Sequence, residues 1–186
     1  ELGLRLVGVI YDDGTYAYRD FDHFLQVYEA ASSVLKTPEH FARLVTAVLE
    51  ETAEHGVIYA ETFVSPDFCG GRDLGAWREY LAAISDAAEA MRDTILLKGI
   101  VTCIRHFGPE KAKETALCAA ETAGEFIVGF GIAGDEKQGA PKEFAYSFDM
   151  AREAGLGLTA HAGEWGGPEA IKDTLNDLGV GRIGHG

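Results

Sequence analysis

Five short apolar runs recur along the chain, each separated from the next by a longer segment with apolar residues at helical spacing. The runs are 57–64 (VIYAETFV), 96–104 (LLKGIVTCI), 126–132 (FIVGFGI), 156–160 (LGLTA) and 182–184 (RIG). They are nearly continuous in apolar residues rather than alternating, which is the pattern of strands covered on both faces. Regular strand–helix–strand succession predicts an α/β fold with parallel pairing through right-handed crossovers. Helices are expected at about 38–55, 73–92, 109–122, 141–154 and 168–178. Thr37-Pro38 reads as an N-cap followed by a first-turn proline, and Pro109, Pro141 and Pro168 each open a helix.

The first 35 residues follow a different pattern. Leu4–Ile10 predicts a strand, Asp12-Asp13-Gly14 a turn, and Phe21–Leu35 a helix with Phe24, Leu25, Tyr28 and Ala31 on one face. No low-complexity stretch or linker interrupts the chain, so residues 1–186 are read as a single domain. The 30 acidic residues outnumber the 16 basic ones, for a net charge of −14. Such a surface does not neutralise phosphates, which argues against a nucleic-acid partner and for a small-molecule one. No stretch approaches the roughly 20 apolar residues that span a bilayer, so no membrane partner is expected. The chain begins Glu-Leu-Gly-Leu-Arg, without a methionine or a signal-peptide pattern, and is expected to be a partial product. Cys69, Cys103 and Cys118 are odd in number and widely spaced, which predicts reduced, buried thiols and a cytoplasmic location.

In a parallel α/β protein, functional groups gather at the carboxyl ends of the strands. Those ends carry Glu61 with Ser65-Pro66, then Arg105-His106, Gly134-Asp135-Glu136, His161 with Glu164, and His185. Taken singly, each has an ordinary structural reading. A strand-end histidine is more often a hydrogen-bonded structural residue than a ligand. A carboxylate opening a helix suits the macrodipole, and Gly-Asp-Glu suits a solvated turn. Together they point elsewhere. Two strand-end histidines and a carboxylate, with only glycine and alanine between, leave room for a ligand and suggest metal-dependent hydrolysis. Neutral imidazole is a good zinc ligand, and a carboxylate three residues on can shuttle a proton.

His161-Ala-Gly-Glu164, Arg182-Ile-Gly-His185-Gly186 and Ile132-Ala-Gly-Asp-Glu136 together resemble the adenosine deaminase family, and the likeness reaches upstream to IYAETFVSP at 58–66. The resemblance implies a TIM (β/α)₈ barrel, with about strands 2–6 in this chain, and one zinc ion per subunit at the barrel's carboxyl end. It implies that His161 binds zinc and that Glu164 donates a proton to N1 of the purine. His185 would position and help deprotonate the zinc-bound water, whose pKa the metal lowers from near 16 to about 7. The Gly134 backbone would contact the purine. The implied activity is hydrolytic deamination of adenosine, and of deoxyadenosine, to inosine and ammonia, with a purine nucleoside as the partner.

Three departures qualify this reading. The family's His-x-His zinc pair is not found here, nor is its eighth-strand aspartate pair, so residues 1–186 alone are expected to bind zinc weakly and to be inactive. Gly131 stands where many members carry aspartate. The nearest rivals within the same family are deamination of free adenine or of another adenosine derivative. Adenine-specific relatives tend to replace the Gly-Asp-Glu segment with serines, so the intact Ala133–Glu136 favours adenosine. A second alternative is a non-catalytic partial barrel serving as a binding module.

Overall fold

The computed structural model describes residues 15–186. The strand expected at 4–10 and the turn at 12–14 lie outside the described residues. Although no compositional boundary marks it, the chain divides into two compact units, the first ending at Thr37 and the second running from Pro38 to Gly186.

The first unit contains α1 (Phe21–Ser32), shorter at its end than the sequence pattern suggested. Asp20 caps it by accepting a hydrogen bond from the His23 amide at 2.7 Å. Phe24 makes ring contacts with Phe21 and Tyr28 of the same helix and with Tyr18 ahead of it.

The second unit alternates as the apolar runs require: α2 (Pro38–Glu54), β1 (Tyr59–Val64), α3 (Leu74–Ala90), β2 (Leu96–Ile104), α4 (Pro109–Glu121), β3 (Ile127–Ala133), α5 (Ala145–Glu153), β4 (Gly157–Ala162), α6 (Gly167–Leu178) and β5 (Arg182–His185). The five strands form one parallel sheet in the order of the sequence. Pro109 opens α4 as expected. Pro141 instead opens a single 3₁₀ turn, Pro141–Phe144, before α5 begins at Ala145.

Alternation along each strand gives the sheet two faces. Val101 and Cys103 of β2, Phe130 and Ile132 of β3 and Ala160 of β4 point outward into a core shared with Trp77, Ile84 and Phe148 of the helices. Phe130 meets Phe148 edge-on with ring centroids 5.1 Å apart. The Trp77 indole donates to the Thr122 hydroxyl at 3.1 Å, satisfying its buried N–H. The three cysteines are free and buried, and burial pushes the Cys69 thiol up to about 12 and the Cys118 thiol up to about 11.

The inner face carries Glu61 and Phe63 of β1, Gly129 and Gly131 of β3, Thr159 and His161 of β4, and Arg182 and Gly184 of β5. Arg182 forms an ion pair with Glu61 although three strands lie between theirs. In a flat sheet four strand spacings would separate them by roughly 19 Å. The sheet therefore curls strongly, as the wall of half a barrel does. That ion pair also corrects the placement of Glu61. It sits in the middle of β1, tied to Arg182 and to the Tyr59 hydroxyl at 2.7 Å, not at the strand's functional end. The hydrogen bond from Tyr59, together with Arg182, holds its carboxyl below the usual range.

Removing the ring at the centre of the outer core tests this packing. Phe130→Ala is expected to destabilise the protein by about 3–5 kcal/mol, read from the denaturant midpoint. A loss under about 1 kcal/mol would mean that the outer face of β3 is not closely packed.

Candidate active site

The apolar run that predicts β4 stops at Ala160, yet the strand continues. Backbone pairing with β5 carries it on, with His161 opposite Gly184 and Ala162 opposite His185. His161 therefore belongs to the strand, and the pleat aims its imidazole at the inner face. A side chain at Gly184 would bring its Cβ to 3.2 Å from His161 Nδ1, so the small residue makes room for the ring. The ring meets the edge of Phe63 at 5.6 Å and His185 at 5.0 Å between centroids. Burial, joined by the His185 imidazole, holds the His161 pKa below the ordinary histidine value. The neutral ring that results is the form a metal accepts.

Glu164 follows in the loop between β4 and α6. Its carboxylate oxygen lies 3.7 Å from His185 Nε2, with the Glu164 side chain 21% exposed and that of His185 46%. His185 adopts φ +70°, a left-handed backbone that non-glycine residues rarely hold. His161, Glu164 and His185 thus come together at the carboxyl ends of β4 and β5, as the sequence pattern predicted.

The other expected residues are placed differently. Gly134 follows β3 at φ +102°, and a Cβ there would fall 2.8 Å from His106 Nδ1. Only glycine fits that turn. His106 lies in the 3₁₀ turn after β2, and its Nδ1 accepts a hydrogen bond from the Asp135 amide at 3.3 Å. It is a structural brace of the β3 loop, the ordinary reading of such a histidine. Gly131 lies on the inner face, where a Cβ would meet Thr159 Cγ2 at 2.8 Å and Phe63 Cε1 at 3.5 Å. Phe63 and Thr159 crowd the space that an aspartate would need.

The acidic pair after β3 is occupied by its own surroundings. Asp135 accepts hydrogen bonds from the Lys137 amide at 3.0 Å and from Gln138 Nε2 at 2.8 Å. Burial raises its pKa, but these bonds outweigh the effect and leave it below the usual value. Glu136 reaches across to the β4 loop and accepts three backbone N–H bonds, from Gly163 at 2.7 Å, Trp165 at 2.6 Å and Gly166 at 2.9 Å. Burial again opposes ionisation, and the three amides with Arg105 prevail, lowering the pKa. Arg105 is only 3% exposed. Its guanidinium donates to the carbonyls of Gly139 at 3.2 Å and His161 at 3.1 Å. Arg105 and Glu136 stand near strand ends in the sequence, and nothing local to either residue assigns it these backbone partners.

Among the described residues, no group of three His, Cys, Asp or Glu converges to hold a metal. His161 offers one imidazole, where a catalytic zinc generally takes three protein ligands. No helix among the described residues is long and apolar enough to cross a membrane.

A family model described as adenosine deaminase matches residues 13–186. A curated adenine deaminase of Chelativorans sp. (strain BNC1) is 44% identical over 175 residues, covering 93% of this chain and 54% of that protein. Another, of Sinorhizobium medicae (strain WSM419), is 42% identical over 181 residues, covering 96% and 56%. The chain spans about half the length of the curated relatives it matches. Among solved structures, an adenine deaminase from Arthrobacter aurescens superposes with a TM-score of 0.80 at 30% identity, covering 89% of this chain and 51% of that one. A zinc-bound cog1816 amidohydrolase from Burkholderia ambifaria gives 0.73 at 27% identity, covering 84% and 45%.

The lowered pKa of Glu136 sets an acid limit for its loop. A carboxyl depressed by folding contributes its full stabilisation above the ordinary carboxylate range and loses it as pH falls through the folded value. The amide proton shifts of Gly163, Trp165 and Gly166 are expected to stay level from about pH 8 to about pH 5 and to move together below about pH 4. A joint transition centred above pH 5 would contradict the assignment.

Proposed function

Because the chain belongs to the adenosine deaminase family, we propose that the protein hydrolytically deaminates a purine at its 6-amino group, with the free base adenine as substrate. What carries the reading is the meeting of His161, Glu164 and His185 at the carboxyl ends of two adjacent strands. Support for the free base over the nucleoside comes from relatives. Two curated proteins above 40% identity and a solved structure at 30% are named adenine deaminases. The sequence expectation of adenosine rested on the intact Gly134-Asp135-Glu136. Both carboxylates of that segment are engaged within the protein, so their presence says nothing of a ribose. Adenosine therefore becomes the second substrate to test.

In the proposed reaction water adds at C6 of adenine, the C6–N bond breaks, and hypoxanthine and ammonia leave. Glu164 gives a proton to N1, which draws electrons from C6 and opens it to attack. His185 accepts a hydrogen bond from the attacking water and orients it. The Gly134 backbone, just past the end of β3, contacts the base. His161 would serve as one ligand of a zinc ion completed by residues beyond this span, and such an ion, when bound, supplies Lewis acidity to the water. The partner is thus a small molecule, and cytoplasmic purine salvage is the setting that fits it.

Loss of the ultraviolet absorbance of adenine, compared with the corresponding change for adenosine at equal concentration, reads the substrate directly. Adenine is expected to turn over faster, and faster turnover of adenosine would reverse the choice. Glu164→Gln keeps the size of the side chain but removes the proton, and turnover is expected to fall by roughly 10²–10⁴-fold. A fall of less than threefold would exclude Glu164 as the donor.

A further inference from the structure

Gly163, Gly166 and Gly167 surround Glu164 with backbone that has little intrinsic stiffness. A carboxylate that must meet one ring nitrogen cannot be left on such a loop unrestrained, since a misplacement of about 1 Å can cost roughly 10²-fold in rate. The restraint comes from outside the loop. The oxygens of Glu136 take the amides of residues 163, 165 and 166, so they grip the backbone on both sides of Glu164. Gly166 permits the approach, because a Cβ there would stand 3.2 Å from Glu136 Oε1. On the other side of the site, the Arg105 guanidinium holds the carbonyl of His161 itself and that of Gly139. A partly buried anion and a buried cation thus fix the two ends of the segment His161–Gly166, the anion by its N–H groups and the cation by its C=O.

We propose that Glu136 and Arg105 are positioning residues for deamination, acting through Glu164 and His161 respectively rather than by touching substrate. The inference rests on the deaminase reading. It also assigns the Gly-Asp-Glu segment a task that is independent of which purine is bound. Glu136 needs both oxygens as acceptors, because three donors face it. A glutamine would turn an NH₂ toward at least one of those amides and break the grip. Arg105 needs its fork, because two carbonyls, one in the loop after β3 and one in β4, accept from it. A lysine keeps the charge but cannot bridge them with the same geometry.

The test uses the full-length, zinc-loaded protein with adenine. Glu136→Gln is expected to lower kcat by about 100-fold while KM changes less than threefold. In a Glu164→Gln background the same change is expected to lower kcat no more than threefold further, because a residue that acts only through Glu164 has nothing left to position. A double variant that loses the product of the two single effects would overturn the proposal, as would a Glu136→Gln enzyme within threefold of the parent kcat. Glu136→Asp, which keeps both oxygens one methylene short, is expected to recover part of the loss. Hydrogen exchange in the parent protein supplies a measurement that needs no variant to fold. The amides of Gly163, Trp165 and Gly166 are expected to be protected, and exchange at free-peptide rates would overturn the grip. A parent protein that turns over neither adenine nor adenosine would instead refute the deaminase reading on which the inference stands.

Discussion

A parallel strand shows one row of side chains to the helices and the other to the inside of the curl, and this two-faced pleat governs everything else in the sheet. On the outer face the rows of Val101, Cys103, Phe130 and Ile132 make the core. On the inner face the residues have different work. Glu61 and Arg182 meet across the curl, and glycine at 129 and 131 lets neighbouring side chains close over β3. His161 and Gly184 face each other in register, a large ring against no side chain at all. A shift of that register by one residue would turn His161 into the helix-covered core and leave Ala160 in its place. The position of the imidazole is therefore a consequence of backbone hydrogen bonding, supported by the packing on both sides of the sheet.

Above the strands, order is imposed by charge. The loop that carries Glu164 is rich in glycine, so its backbone has little intrinsic stiffness. Backbone amides converging on the partly buried Glu136 carboxylate hold the β4 loop, and a charge-assisted bond of this kind is roughly twice as strong as a neutral one. Asp135 is tied within its own loop and Glu136 to the next loop. Their desolvation is more than offset by the donors around them, which is why both titrate below their ordinary values. The same chain is strongly acidic overall, yet its two functionally placed acids beside β3 are internal anchors and not part of a solvated face.

That distinction bears on substrate choice. The acidic segment reads, as sequence, like a mark of nucleoside recognition. In the folded chain its glutamate holds the neighbouring loop through the amides of Gly163, Trp165 and Gly166. The crowding of Gly131 by Thr159 and Phe63 is a further point where the inner wall differs from members with aspartate at that position. It places an aromatic edge against His161.

Much of this was determined by the sequence itself. Apolar periodicity is a local property, and it located all five strands to within about two residues. Asp73, which begins the second predicted helix, does cap α3, accepting from the Ala76 amide at 2.8 Å. The grouping of His161, Glu164 and His185 was legible because each lies near the end of a recognisable strand. What only the tertiary structure decided are contacts between residues far apart in the chain. Glu61 could not be separated from the strand-end groups until Arg182, 121 positions away, was seen to neutralise it. His106 could not be told from a ligand until the Asp135 amide occupied its Nδ1. The roles of Arg105 and Glu136 depend on carbonyls and amides of other loops, and every residue but proline carries the same amide. Backbone partners leave no trace in residue identity, so a side chain whose task is to hold them is invisible until the fold brings them to it.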